Sequence, residues 1–263
     1  INKIQQMDEG LMRTFSLVEG NDTLGGVSLG DDRILTYTDK SGYKKIPYYV
    51  STKGITLAKP LEVNGKALQE LDYDANDMSL NPDGATAQGL KLSVKLPKNY
   101  MKYSEFAGDY NMTTYWGASK LTLHLVPAGD GKTYLLKGMN ANFDLTLTYD
   151  KTSGTLSLNT QHLIDMGDKQ VWLCGWNAFG EGYLTWSTDA GMIVSRDTNE
   201  AGTVLKFEPN DYVGLTTDSF ILVLFSGSPS NDTFVGNAKG IDALYIRPGD
   251  YRLVGPETLT KIN

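Results

Sequence analysis

A strand–turn–strand pattern occurs twice in this chain, over residues 71–81 and again over residues 147–159. In each copy apolar residues alternate with polar ones, a few Asp, Asn, Ser or Gly residues interrupt the alternation, and it then resumes. Successive side chains of a β-strand point to opposite faces, so the pattern is typical of a half-buried antiparallel hairpin. The repeat indicates a chain built from hairpins, with no helical layer to carry a cofactor fold.

The same alternation is found in nearly every apolar run, and Gly, Asn and Asp residues stand at the joints between runs. We therefore predict an all-β protein with an antiparallel meander, either a lipocalin-like barrel or a sandwich, preceded by a smaller β-region. The alternation lapses in residues 97–104. The predicted domains are an N-terminal β-region at 1–97 and a C-terminal barrel or sandwich domain at 98–263.

Two stretches depart from the strand pattern. Residues 1–18 have apolar spacing that permits a short helix, although the end of this stretch, from Thr14 to Val18, suits a strand equally well. The stretch after Ser226 is predicted to be a long irregular connection, with one further strand at 242–246.

The composition of the 263 residues excludes several partners. A net charge of −7 opposes binding to nucleic acid and to an anionic membrane, so neither is predicted as a partner. The longest apolar run, residues 220–225, has the length of a buried strand and not of a membrane helix. The chain begins at Ile1 and not at Met, so we expect an upstream segment to have been cut away or left out.

Aromatic residues form two groups in the sequence: Trp172, Trp176, Phe179, Tyr183 and Trp186, and Tyr110, Tyr115 and Trp116. Trp172, Cys174 and Trp176 alternate along one strand face and are predicted to be core, with Cys174 as a small apolar residue. Rings beside glycine at predicted loops are instead expected to face outward and to pack against the apolar face of a sugar. The predicted ligand-binding residues are Tyr115, Trp116, Asn177, Phe179 and Glu181.

No metal, cofactor or catalytic residue is predicted. The acidic run at 72–77 offers alternate oxygen ligands, but Asp77 and Asp83 occupy positions where a calcium loop needs Gly and Glu, so a turn is favoured. His124 and His162 are isolated, and His124 lies on the strand face opposite its leucine neighbours. Hydrolase, nucleotide and metalloprotease motifs are not found.

Several short sequence segments resemble those of Bacteroidetes lipoproteins that form families of unknown function. They lie at residues 54–57, 60–66, 71–74, 106–110 and 149–161. The resemblance implies export, a lipid anchor at the cell envelope and a genetic context of glycan uptake, and it supplies no catalytic residues. The cysteine to which such an anchor is attached is not in this chain.

Together these observations predict a non-catalytic protein of the cell envelope, at the outer-membrane surface or in the periplasm. Its expected partner is a glycan or a cell-surface protein, and its only expected link to a membrane is the lipid anchor. A glycoside hydrolase or other hydrolase, with carboxylates converging from distant strands, is the first alternative. A structural subunit of a surface complex is the second.

Overall fold

The computed structural model describes residues 14–30, 32–51, 54–72, 86–87, 89–94, 97–113, 120–237, 252–254 and 258–263. The regular secondary structure of these residues is antiparallel β-strand, apart from one 3-10 helix, η1, at Tyr103–Phe106. The all-β prediction is confirmed. Within this described part, no helix has the length and apolar character needed to cross a membrane. The chain divides into two compact units, residues 1–96 and residues 97–263.

The strands of the first unit are β1 (Thr14–Glu19), β2 (Asp22–Leu29), β3 (Ile34–Asp39), β4 (Gly42–Ser51), β5 (Gly54–Val63), β6 (Lys66–Asp72), β7 (Thr86–Ala87) and β8 (Leu90–Val94). They form one eight-stranded sheet in the order β6-β5-β4-β3-β2-β1-β8-β7. Its two end strands, β6 and β7, lie next to each other, so the sheet curls around a single apolar core. An ion pair of 3.3 Å between Lys66 and Glu19 joins β6 to β1.

The first strand settles the ambiguity at the start of the sequence. Phe15 and Leu17 are buried and alternate with the half-buried Ser16, which is strand periodicity and not helical spacing. Residues 1–13 lie outside the described part, as does the turn of the first repeat at 73–81.

The strands of the second unit are β9 (Gly108–Thr113), β10 (Lys120–Pro127), β11 (Thr133–Lys137), β12 (Leu145–Asp150), β13 (Thr155–Asn159), β14 (Gln161–Met166), β15 (Lys169–Trp176), β16 (Leu184–Thr185), β17 (Gly191–Arg196), β18 (Val204–Glu208), β19 (Asn210–Tyr212), β20 (Leu215–Thr217), β21 (Ser219–Phe225), β22 (Phe234–Asn237), β23 (Arg252–Val254) and β24 (Thr258–Lys261). Eight of them form a closed barrel in the order β10-β11-β12-β13-β17-β18-β24-β9. The second unit therefore contains a closed barrel.

The second copy of the repeat is the hairpin β12–β13, as predicted, with Leu147 opposite Leu158. The Asp150 side chain accepts the backbone N–H of Thr152 at 2.8 Å and so fixes the turn. The expectation of an irregular connection after Ser226 is wrong where β22, β23 and β24 occur, because β24 pairs with both β18 and β9 and closes the barrel. The strand predicted at 242–246 lies outside the described residues.

The two ends of the barrel differ in their connections. Short turns join strands at one end, at residues 128–132, 151–154 and 197–203. At the opposite end the chain passes from β9 to β10, from β11 to β12, from β13 to β17 and from β18 to β24, and the last two of these connections contain the extra strands. Loops at one end of a barrel commonly carry ligand contacts, so the end with the long connections is the place to search for a site.

A tyrosine network closes the end with the short turns. The hydroxyl of Tyr103 donates to the carbonyl oxygen of Thr133 at 2.7 Å, and that of Tyr149 donates to Met101 at 2.7 Å. The Tyr134 hydroxyl donates to the carbonyl oxygen of Tyr103. Phe106 of η1 is fully buried in the barrel core beside these rings. Residues 97–107 thus form a plug that is bonded to the barrel.

The inserted sheet has the order β14-β15-β21-β22, with β16 and β23 at its edges. One face of it, including Val171, Leu173 and Leu222, packs into the barrel core. Its other face carries Cys174 and Phe225 in a separate outer cluster. The barrel interior is therefore filled, and a surface site at the end with the long connections must be built from the inserted sheet and its loops.

Candidate functional site

The loop 177–183 joins β15 to β16 at the outer cluster and closes on itself. The backbone N–H of Asn177 donates to the carbonyl oxygen of Tyr183 at 2.9 Å, and that of Gly182 donates to Asn177 at 2.8 Å. Gly182 has φ +77°, a conformation that favours glycine because it has no Cβ. The shape of the loop therefore explains why a glycine stands at position 182.

A buried carboxylate fixes the backbone of this loop. Asp218 is 7% exposed, and its two oxygens accept the backbone N–H groups of Ala178 at 2.8 Å and of Phe179 at 3.1 Å. The Ser219 hydroxyl donates to the same carboxylate at 2.9 Å. The pairing of β15 with β21 sets Trp176 opposite Ser219, which brings Asp218 to the point where the loop begins. Asp218 is thus a positioning residue.

The loop presents two rings and one carboxylate to solvent. Phe179 is 54% exposed and Tyr183 is 55% exposed, and Glu181 between them is exposed as well. Asn177 is half-buried at the base of the loop, and a Cβ on Gly180 would collide with its Oδ1. That Oδ1 is buried without a hydrogen-bond partner among the described residues. The outward-facing set is therefore Phe179, Glu181 and Tyr183.

The other two predicted ligand-binding residues, Tyr115 and Trp116, lie outside the described residues. The strands that flank them, β9 and β10, end at Thr113 and begin at Lys120 at the barrel end that carries the long connections. The connection 160–190, which contains the loop 177–183, leaves the barrel at that same end.

The aromatic strand before the loop has the predicted alternation. Cys174 is fully buried, and burial raises the pKa of its thiol to about 12, so it is a core residue and not a nucleophile. Trp172 and Trp176 lie on the same face and pack, partly buried, against the outer cluster that Cys174 joins. The Trp172 Nε1–H donates to the side chain of Gln170 at 3.0 Å.

Both histidines pair with a carboxylate at the surface. His124 points away from the buried leucines, as predicted, and its Nδ1 lies 2.6 Å from Asp109 Oδ1. His162 Nε2 lies 2.8 Å from Asp165 Oδ1, and its ring stands edge-on to Trp172 at 5.7 Å. In the described part of the chain, no three His, Cys, Asp or Glu residues are grouped as a metal site would need.

Sequence reasoning assigned no role to Asp218 and no site role to Tyr183. Tyr183 follows Gly182 as Phe179 precedes Gly180, so the same glycine signal marks both rings. Asp218 stands directly before the apolar run of β21, but nothing in the sequence links it to a loop 39 residues earlier. Only the pairing of β15 with β21 reveals that contact.

Comparison with known proteins places the chain in a family without assigning a function. No curated protein and no solved structure matches it. One family, DUF4987, described as a domain of unknown function, matches residues 83–223, which is more than half of the 263 residues. The chain therefore belongs to the DUF4987 family.

Proposed function

We propose that this protein is a non-catalytic glycan-binding protein of the cell envelope and that the loop 177–183 is its binding site. One observation carries the proposal: Phe179 and Tyr183, both more than half exposed, stand on a loop whose backbone is bonded to a buried carboxylate. Packing of an exposed ring against the apolar C–H face of a sugar removes apolar surface from water and so lowers the free energy.

The fixed backbone is what distinguishes this loop from a flexible surface loop. Ordering a loop on binding costs free energy, and a loop that is already ordered avoids that cost. The bonds from Asp218 and the closure between Asn177 and Tyr183 supply this order. Glu181 accepts hydrogen bonds from sugar hydroxyls and repels anions, which favours a neutral glycan.

The carboxylates at the loop favour binding over hydrolysis. Most glycoside hydrolases need two carboxyl groups that flank the bond to be cleaved. The oxygens of Asp218 already accept hydrogen bonds from Ala178, Phe179 and Ser219. Glu181 is the exposed carboxylate of the loop, so a hydrolase would need a second carboxylate from another part of the chain.

The location at the envelope rests on the sequence phrases similar to Bacteroidetes lipoproteins and on the net charge of −7. The phosphates of nucleic acid repel an acidic protein, whereas a neutral glycan carries no charge that would repel it. Fractionation of the native cells, with the protein exposed to protease added outside intact cells, tests this part of the proposal.

A glycan array and turnover assays on the same polysaccharides test the function. Wild type should bind at least one neutral glycan and leave it intact, and Phe179→Ala and Tyr183→Ala should each weaken that binding. Val213→Ala, an exposed apolar change outside the loop, is the matched control and should bind as wild type. Hydrolysis that a single carboxylate substitution abolishes would overturn the non-catalytic assignment, and unchanged binding by both ring variants would overturn the site.

A further inference from the structure

A stripe of exposed side chains runs along the outer face of β4 in the first unit. Tyr43, Lys45, Pro47 and Tyr49 occupy alternate positions of this strand and are all exposed. The two tyrosines are 70% and 64% exposed, which is more than either ring of the loop 177–183. Tyr49 is six residue steps along the strand from Tyr43, or about 20 Å. The stripe is thus longer than a single sugar.

Two tyrosines on the inner face of the same sheet have the burial and hydrogen bonds expected of a structural role. Tyr37 and Tyr48 are buried, and their hydroxyls donate to the carbonyl oxygens of Leu24 at 3.2 Å and Gly30 at 2.6 Å. Within the described residues, the hydroxyls of Tyr43 and Tyr49 have no such partner. Packing in the core therefore does not explain these two rings.

Three members of the stripe face a threonine on a neighbouring strand, and Pro47 faces Ile34. Tyr43 is opposite Thr38 and Lys45 is opposite Thr36, both on β3. Tyr49 is opposite Thr56 on β5. Side chains of directly opposite residues lie on the same face about 5 Å apart. Exposed rings and threonine hydroxyls therefore lie side by side on this face.

The stripe itself carries one lysine and no carboxylate, although the chain as a whole is acidic. The described part of residues 40–61 has four lysines, at 40, 44, 45 and 59, and no Asp or Glu, whereas the exposed Glu70 of β6 lies opposite Thr56. Lys45 stands between the two tyrosines, with its Nζ 5.8 Å from the centre of the Tyr43 ring. Charge complementarity calls for an anionic ligand along this strand.

We propose that this face of β4 binds a linear acidic polysaccharide, with Tyr43 and Tyr49 packed against two of its sugars and Lys45 paired with a carboxylate between them. The threonines would bond to the sugar hydroxyls. A single-stranded nucleic acid also stacks on rings, so the experiment below includes one as the competing ligand. Successive bases stack on rings that lie close together, whereas Tyr43 and Tyr49 are about 20 Å apart, which favours a polysaccharide. This site is independent of the loop 177–183.

The protein is titrated calorimetrically with hyaluronan, alginate and partly esterified polygalacturonate. The control ligands are the carboxyl-reduced form of each polysaccharide and a single-stranded oligothymidylate. We expect at least one of the three acidic chains to bind, with an affinity that falls as salt is added. Tyr43→Ala, Tyr49→Ala and Lys45→Gln should each lower that affinity by roughly tenfold.

Two matched variants test whether the acidic chains bind at the stripe and not elsewhere on the protein. Lys91→Gln removes an exposed lysine of the same sheet and should bind as wild type. Phe179→Ala changes the proposed neutral-glycan site and should leave the acidic chains bound, so failure of either site can be recognised separately. The proposal is overturned by a lack of binding to all three acidic chains, by equal binding of their carboxyl-reduced forms, by unchanged affinity in the three stripe variants, or by tighter binding of the oligothymidylate.

Discussion

The carboxylate of Asp218 accepts the backbone N–H of Phe179 at 3.1 Å, although the two residues are 39 positions apart in the sequence. The bond joins an exposed ring to the buried start of β21, a strand that is buried along its whole length. The position of the ring is therefore set by the core of the second unit and not by the loop alone.

Replacing Asp218 by alanine should destabilise the protein and release the loop. The backbone N–H groups of Ala178 and Phe179 lose their acceptors, and a buried donor without a partner costs about 1–3 kcal/mol. Urea unfolding measures the loss, and hydrogen exchange at the two amides measures the release. Asp168→Ala, at a side chain that is 87% exposed, is the control and should change neither. Unchanged exchange at both amides would remove Asp218 from its positioning role.

Gly154 should not tolerate alanine. It has φ +68° in the turn between β12 and β13, and a Cβ would lie 2.8 Å from the backbone nitrogen of Met101 and would collide with the Tyr100 ring. Gly129 has φ +84° but open space around its Cβ position. In urea unfolding, Gly129→Ala should lower the free energy of unfolding only by the conformational cost of about 1–2 kcal/mol. Gly154→Ala should lower it clearly more, because of the added collision. If both variants lost the same free energy of unfolding, the segment 97–107 would have moved to make room for the Cβ at no energetic cost, which would contradict this prediction.

Val213 should be a site where a polar residue stabilises the protein. Val213 and Gly214 have φ values of +49° and +79° between β19 and β20, nearly those of Asn64 and Gly65 between β5 and β6, at +54° and +74°. Asparagine adopts this conformation readily, whereas a β-branched residue is strained in it.

We therefore expect Val213→Asn to raise the free energy of unfolding by about 1 kcal/mol, and Asn64→Val to lower it by a similar amount. The side chain of Val213 is 83% exposed, so little packing is lost in the change. Thermal and urea unfolding of the two variants provide the measurement. A decrease in stability for Val213→Asn would contradict this account of the turn.

The stability of the protein should fall between about pH 10 and pH 12. Burial, with a smaller contribution from nearby Tyr103, raises the pKa of Tyr134 from 10.0 to about 12. The unfolded chain therefore releases this proton at lower pH than the folded chain does, so the stabilisation is complete below pH 10 and is lost as the pH rises toward 12.

Urea unfolding at a series of alkaline pH values tests this dependence. Tyr134→Phe removes the group that titrates and should have a shallower decline than wild type. A decline remains in that variant because burial also raises the pKa values of Tyr110 and Cys174. Identical slopes for wild type and Tyr134→Phe would show that Tyr134 does not contribute.

The local structure was predictable because it depends on neighbours in the sequence. Alternation of buried and exposed residues identified β10 and the hairpin β12–β13, and it placed Cys174 inside and His124 outside. The short strands β19 and β20, with three residues each, are too short for such a pattern to mark them. Periodicity therefore reports long strands well and short ones poorly.

The closure of the barrel and the anchor of the site were not predictable in the same way. β13 pairs with β17 across the inserted sheet, and β24 returns from the far end of the chain to pair with β9. Such contacts depend on which strands meet in three dimensions, and turn residues carry no information on them. Asp218 belongs to this class, because its partner loop becomes adjacent only when β21 pairs with β15.

The most direct test of the proposed function is the affinity of Phe179→Ala for the neutral glycan that wild type binds, measured by calorimetry together with the melting temperature. We expect the affinity to fall by roughly tenfold and the melting temperature to stay near that of wild type, because the ring is 54% exposed. Phe225→Ala, at a fully buried ring, should instead cost about 3–5 kcal/mol of stability. Unchanged affinity in Phe179→Ala, or a loss of stability as large as that of Phe225→Ala, would contradict the assignment of the loop 177–183 as a glycan site.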